Sequence, residues 1–206
     1  YNEPAIWLEY TIDTGKLAKE KGLYTAYITN GFMTIEALEL MAPYLDAFRV
    51  DLKSFEDSFY QEICGVKSAK SVYETTLRAK ELGMHIEAVT NIIPTKNDSD
   101  ENLTNIARWI KENLGENTPW HVTRFFPCYM LADLPPTPLE TLNKAEKIGR
   151  QEGLNFVYQG NVAGKSITAC PDCRKVAIER NFPVKVDIGK DGSCTQCGRS
   201  LNIITG

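Results

Sequence analysis

No apolar run in this 206-residue chain approaches the roughly 18 residues that a membrane-crossing helix requires, and no basic segment leads into an apolar stretch at its start. A membrane is therefore not an expected partner, and the cytoplasm is the expected location. Basic charge is not in excess either. Lys and Arg total 23 against 27 for Asp and Glu, a net charge of -4, so no global positive field draws the chain to nucleic acid. The sequence also has no Gly-x-Gly-x-x-Gly after a strand, no Walker glycine loop and no Ser-His-Asp order. Dinucleotide, nucleotide-phosphate and hydrolase chemistry are left without support.

What is present is an ordinary globular composition, 43% hydrophobic and 24% charged, which excludes a collagen, a disordered tail and a coiled coil. The length suits one domain of roughly 150 residues with an appendage, and a chain of this size holds together without disulfides. From Ala5 to Gly153, short β-rich runs alternate with helix-patterned stretches, the rhythm of parallel βα units. Strands are predicted over 24–29, 47–52, 85–93, 120–126 and 155–159, the third ending at Pro94, which cannot donate a ladder hydrogen bond. Val72, Thr75, Thr76, Ala79 and Leu82 fall on one helical stripe, and Leu103, Ile106, Ala107, Ile110 and Leu114 on another. Leu139, Leu142, Ala145 and Ile148 make a third. Asn97 to Asp100 supplies N-cap chemistry ahead of the second stripe, and Gly22 is placed to end an earlier helix with positive φ. This rhythm predicts the α/β class, a barrel or open sheet whose ligands sit at the carboxyl ends of the strands.

Near residue 165 the pattern changes to Gly, Lys, Asp and paired cysteines, so a first domain is expected over 1–164 and a small module over 165–206. Cys170-Pro171-Asp172-Cys173 and Cys194-Thr195-Gln196-Cys197 are separated by 20 residues. Each Cys-x2-Cys pair sets two thiolates about a tight knuckle whose N–H groups turn toward sulfur, and two knuckles complete a tetrahedral cage. Gly198 follows the second pair, where positive φ is wanted, and Val184 to Ile188 alternates as a hairpin strand does. Two disulfides would use the same residues, a pairing that a reducing compartment disfavours. The cage accepts zinc or iron. Zinc is the expected ion because it prevails in structural sites, and four thiolates leave no ligand position open, so a four-cysteine, zinc-ribbon-like module with a structural metal is predicted. Cys64 and Cys128 stand alone and read as buried or half-buried thiols.

Polar residues mark the predicted strand ends: Thr29-Asn30-Gly31-Phe32, Asp51-Leu52-Lys53, Thr90-Asn91, and His121 with Arg124. Asp51 and Lys53, two apart on a strand, point to one face and offer a carboxylate beside an ammonium, suited to a zwitterionic or hydroxylated ligand. The same pair also reads as a strand-end salt bridge, Asn30-Gly31 as a common turn, and His121 beside Trp120 as a core histidine. Lys53 as the Schiff-base residue of a barrel lyase is a further option. Residue types and spacing lead this far, to a βα ligand binder carrying a metal ribbon.

The ordered set Tyr1-Asn2-Glu3-Pro4, Thr29-Asn30-Gly31-Phe32, Asp51-Leu52-Lys53, Ile93-Pro94 and His121 resembles the radical S-adenosylmethionine enzymes of the pyruvate formate-lyase activating type. It is more similar still to the branch encoded with Memo-type partner proteins, where Tyr-Asn-Glu-Pro replaces Gly-Gly-Glu-Pro and paired cysteines end the chain. The resemblance implies a partial (β/α) barrel that generates a 5′-deoxyadenosyl radical for hydrogen abstraction from a protein or small-molecule substrate. It implies S-adenosylmethionine and a [4Fe-4S] cluster as cofactors, and a flavodoxin or ferredoxin as electron donor. By the same resemblance Glu3 accepts from the methionyl amino group, Asn30, Asp51, Lys53 and His121 hold the ribose, carboxylate and adenine portions, and Arg124 approaches the substrate. The family's Cys-x3-Cys-x2-Cys cluster loop matches none of the six cysteines. A chain opening on Tyr1 is then expected to be an N-terminally truncated fragment, without its first βα units and inactive by itself. The alternative is a non-catalytic zinc-ribbon interaction module on a degenerate βα scaffold.

Overall fold

Five short runs of apolar and β-branched residues form one parallel sheet: β1 (Ala26–Thr29), β2 (Ala47–Asp51), β3 (His85–Ile92), β4 (Trp120–Arg124) and β5 (Val157–Gly160). A computed structural model describes residues 3–164 and 166–204. Tyr1 and Asn2 of the first motif, and Lys165, where the second module is expected to begin, lie outside the described residues. Spatial order in the sheet equals chain order, β1-β2-β3-β4-β5, as in a segment of a singly wound barrel. The helices are α1 (Leu8–Glu20), α2 (Ile35–Met41), α3 (Asp57–Glu62), α4 (Lys70–Glu81), α5 (Asp100–Trp109) and α6 (Leu139–Gln151). Among the described residues no helix is long and apolar enough to cross a membrane.

Two predicted strand ends shorten for a shared reason. The Thr25 N–H donates to Asp46 Oδ2 at 2.7 Å, so β1 begins at Ala26 and not at Tyr24. The Phe125 N–H donates to Thr137 Oγ1 at 2.8 Å, so β4 stops at Arg124. In both places a side chain takes a backbone donor from the ladder.

Alternation along the strands sends Phe48, Val50, Ile86, Ala88, Trp120 and Val122 to one face, where they meet Leu38, Met41, Val72, Ala79, Leu103, Ile106, Ile110 and Leu142 in a single core. The Trp120 Nε1–H donates to Thr90 Oγ1 at 2.9 Å, and the Thr90 hydroxyl donates to the Leu52 carbonyl at 2.7 Å. The opposite parity sends Arg49, Asp51, His85, Glu87, His121 and Tyr158 to the other face, where they are only half-buried. This is the polar face.

A second, antiparallel sheet follows: β6 (Ser166–Ala169), β7 (Val176–Arg180) and β8 (Lys185–Val186), in that order. It meets the larger sheet at β5. Tyr158 Oη and Thr168 Oγ1 lie 2.8 Å apart, and Arg180 Nη1 donates to the same Thr168 hydroxyl at 2.7 Å.

Candidate functional site

Glu3 docks on the carboxyl end of β1. Its carboxylate accepts from the Thr29 hydroxyl, from the Asn30 N–H at 2.7 Å and from the Ala5 N–H at 3.3 Å. The Thr29 hydroxyl in turn accepts from the Gly31 N–H at 3.0 Å, and Asn30 Oδ1 accepts from the Phe32 N–H at 2.7 Å. Thr-Asn-Gly is thus both a turn and the seat of Glu3. Gly31 has φ +74°, and a Cβ there would lie 2.7 Å from Val50 Cγ2 and 2.9 Å from Val72 Cγ1, so both the conformation and the space demand glycine.

Asp51 and Lys53 share a face as their spacing predicts and form an ion pair at 2.5 Å. The turn that carries Lys53 is fixed by a residue that the sequence suggests only as part of a helix cap. Buried Asn97 donates through Nδ2 to the carbonyls of Lys53 (2.7 Å) and Asn91 (3.0 Å), and accepts from the Ile93 N–H at 2.6 Å. Asn102, buried inside α5, accepts from the Phe55 N–H and the Ser54 hydroxyl and donates to the Asn97 carbonyl. The cap itself is Ser99, which accepts from the Asn102 N–H at 3.1 Å.

Register brings the scattered motifs into line. Asp51 is level with Val89, Val89 with His121, and His121 with Tyr158. Asn30, one residue beyond the Thr29–Val50 pair, comes level with Asp51. Asn30, Asp51 and His121 therefore occupy one row of the polar face, with Glu3 and Lys53 at its upper edge. Asp51 and His121 are two strands apart, about 9–10 Å at the usual strand spacing, a span suited to an extended ligand and too long for direct contact. Arg124 leaves the group. Three residues beyond His121, it falls on the opposite parity, donates from Nε to the Thr137 carbonyl at 2.8 Å and stacks on Phe126.

His121 is not a core histidine. Its Nε2 lies 3.0 Å from Glu87 Oε2, and His85 Nε2 lies 3.6 Å from Glu87 Oε1, so one carboxylate sits between two imidazoles. Hydrogen bonds from His121 and then His85 hold the Glu87 carboxyl well below the usual carboxylate range, against the opposing effect of burial. A cavity of about 370 Å³ opens beside this cluster, lined by Glu87, His121 and Tyr158 of the large sheet and Thr168 and Arg180 of the small one.

The four paired cysteines converge. Their sulfur atoms all lie within 4.8 Å of one another, with Cys170–Cys197 and Cys173–Cys194 each at 3.5 Å. A tetrahedral ion at about 2.3 Å from each sulfur needs S···S separations near 3.8 Å, so this group is close to the size of a four-thiolate metal cage. The knuckles repeat one hydrogen-bond pattern. Cys170 N–H donates to the Lys175 carbonyl and Cys194 N–H to the Arg199 carbonyl, both at 2.8 Å. Arg174 N–H returns to the Cys170 carbonyl at 3.0 Å, as Gly198 N–H does to Cys194 at 2.9 Å. Gly198 has φ +76°, as expected, while the equivalent position of the first knuckle holds Arg174 at φ +63°. N–H groups of Cys197 and Gln196 aimed at its sulfur hold the Cys194 thiol down to about 6. Cys64 is half-buried and Cys128 exposed, and neither joins the group.

Residues 1–110 match the Radical SAM superfamily. The chain is 38% identical over 210 residues to the uncharacterized protein MJ0808 of Methanocaldococcus jannaschii, a match covering 99% of this chain and 62% of that protein. It is 34% identical over 104 residues to the pyruvate formate-lyase-activating enzyme of Clostridium pasteurianum, covering 50% of this chain and 42% of that enzyme. The chain thus spans less than two thirds of the length of either relative. In fold it resembles a crystallised domain of a pyruvate formate-lyase-activating enzyme from Bacteroides vulgatus, with a TM-score of 0.66, 17% identity, and coverage of 78% of this chain and 96% of that one.

Proposed function

The chain belongs to the radical SAM superfamily, and from that premise we propose that its polar sheet face grips S-adenosylmethionine for an activating-type enzyme acting on a protein or small-molecule substrate. Membership implies S-adenosylmethionine and an iron–sulfur cluster. Bound together, the two supply hydrogen-abstraction chemistry. The observation that carries the proposal is the single row of Asn30, Asp51 and His121, with Glu3 seated on Thr29 and Asn30 at its edge.

The donor set fits the nucleoside cofactor. A carboxylate offers about four acceptor positions, and Glu3 has three taken by described donors, which leaves one for an ammonium. Lys53 brings a cation to a carboxylate and Asp51 an acceptor to a hydroxyl or amine, while His121 presents a polar ring edge about two strands away. The donor set does not fit the cluster. Four of the six cysteines are committed to the ribbon, and Cys64 and Cys128 make no three-thiolate set, so these residues bind and orient the cofactor and by themselves do not activate it. The Tyr-Asn-Glu-Pro start together with the terminal cysteine pairs supports the branch encoded with Memo-type partners.

Calorimetry tests the reading. S-adenosylmethionine should bind, and Asp51→Asn, Glu3→Gln and His121→Ala should each weaken it about tenfold or more while each variant still unfolds cooperatively. Unchanged affinity in all three would sink it.

For the ribbon we propose zinc as the ion, with a structural role. One zinc per chain is expected by elemental analysis, and Cys170→Ser should leave the C-terminal residues open to protease. A fully protected, metal-free C-terminus would remove the claim. Phe182, Val184 and Val186, all exposed on the ribbon, support the second reading, in which this module docks a partner protein.

A further inference from the structure

Arg49 is a charged residue of the polar face that no described side chain answers. It lies on β2 two residues before Asp51, one step below the cofactor row, about 6.6 Å away along a parallel strand. Its Nε is buried with no hydrogen-bond partner. The two acids that would ordinarily neutralise it are both committed elsewhere. Glu87 stands directly opposite it across β2 and β3, the position from which opposite charges usually pair, yet the Glu87 carboxylate turns to His121 at 3.0 Å and His85 at 3.6 Å. Asp51, next along the same face, is taken by Lys53 at 2.5 Å. On its other side the level residue of β1 is Ile28, which is apolar and exposed. The strand that places a guanidinium on the polar face also leaves it without a counter-charge among the described residues.

An arginine edge matches two oxygens of a planar anion, and an unpaired buried N–H is costly unless something meets it. We propose that Arg49 binds an oxyanion of the substrate, a carboxylate or phosphate, and so holds the substrate one row below the cofactor. The substrate class that follows is anionic: an acid side chain or C-terminus of a protein, or a small acid. This proposal rests on the reading of the row above Arg49 as the cofactor site. His121 and His85, by holding the Glu87 carboxylate, leave Arg49 free.

The test reads the Arg49 Nε–H by nitrogen-15 NMR of the full chain, with the signal identified by its absence in Arg49→Lys. Sodium acetate and inorganic phosphate are the probes, acetamide is the neutral control, and chloride keeps ionic strength constant. A saturable shift with acetate or phosphate and none with acetamide is expected, and whichever anion acts more strongly tells carboxylate from phosphate. In Glu87→Gln, which loosens the two histidines, the shift should persist. In Arg49→Gln, affinity for the effective anion, followed at neighbouring amides, should fall roughly 10- to 100-fold, the usual loss for a charged hydrogen bond. No anion-specific shift in the wild-type protein overturns the proposal. So does loss of the acetate or phosphate shift on saturation with S-adenosylmethionine, because Arg49 would then serve the cofactor's own carboxylate. Failure of the cofactor reading is separately visible. In that case S-adenosylmethionine does not bind the wild-type chain, whatever the anions do.

Discussion

Replacing Gly31 by alanine tests whether the Thr-Asn-Gly turn is built by packing as well as by conformation. At φ +74° an L-residue costs about 1–2 kcal/mol, partly offset by about 0.4–1 kcal/mol through the stiffer unfolded chain. The new Cβ would also sit 2.7 Å from Val50 Cγ2 and 2.9 Å from Val72 Cγ1, and both valines are fully buried, so neither can swing out to solvent. Overpacking of this kind costs about 1–3 kcal/mol. The net destabilisation should be about 1–5 kcal/mol, a large part of a typical domain's stability of about 5–15 kcal/mol. Urea denaturation followed by circular dichroism measures it. A double-mutant cycle separates the two causes, because Val72→Ala removes one overlap and leaves the dihedral penalty, so the pair should be less destabilised than the sum of the single changes by about 1 kcal/mol. Since Thr29 and the Asn30 N–H seat Glu3, Gly31→Ala should weaken cofactor binding as well. A loss below about 1 kcal/mol, or strict additivity with Val72→Ala, would refute the packing argument.

Glu87 should make stability depend on acid. Its carboxyl is held below the usual value of 4.5, so it contributes stability above that pH and loses it progressively as pH falls from there toward the lower folded value. Thermal unfolding between about pH 5 and about pH 3 should therefore fall more steeply for the wild type than for Glu87→Gln, and parallel profiles would contradict the histidine clamp. Arg174→Gly should stabilise the first knuckle by about 0.5–1 kcal/mol, because the exposed arginine gives up a left-handed conformation that the equivalent Gly198 adopts without strain. Hydrogen exchange of the β6 and β7 amides would show it, and faster exchange in the variant would contradict it.

The parts legible in the sequence are those whose cause is local. β3 is visible because β-branched residues run until Pro94, and α4, α5 and α6 because their buried positions repeat at the helical period. The cysteine cage follows from spacing alone, since each knuckle closes on its own backbone. Helix α1 is signalled only at its Gly22 end. Tyr10 and Leu17 are exposed along it, so no single stripe is buried, and α2 and α3 are too short to show a period. Glu87, Arg49 and Asn97 are illegible for a different reason. Glu87 meets His121 only because β3 and β4 are neighbours in one particular register, and Arg49 lies opposite Glu87 only in the register of β2 against β3. Asn97 is the instructive case. Local capping rules draw attention to its segment, yet Ser99 makes the cap and Asn97 instead holds the Lys53 carbonyl, 44 residues back.

The small sheet is joined to the polar face by a short series of contacts. Cys170 directly follows β6, and Thr168, two residues earlier, holds the Tyr158 hydroxyl at 2.8 Å while accepting from Arg180 at 2.7 Å. Burial first, with Thr168 and Arg180 opposing it, raises the Tyr158 phenol above its usual value, so its proton stays on and the ring remains a neutral wall. That ring lies 5.3 Å from His121, which in turn grips Glu87. The first knuckle, closed on its own backbone hydrogen bonds, follows the end of β6, and β6 carries Thr168, which holds the wall against which His121 packs. Thr168 and Tyr158 therefore connect the cysteine group to the row that holds His121. The stability of the small sheet and the placement of His121 are thus linked through Thr168 and Tyr158, so loosening the cysteine group should be felt on the polar face.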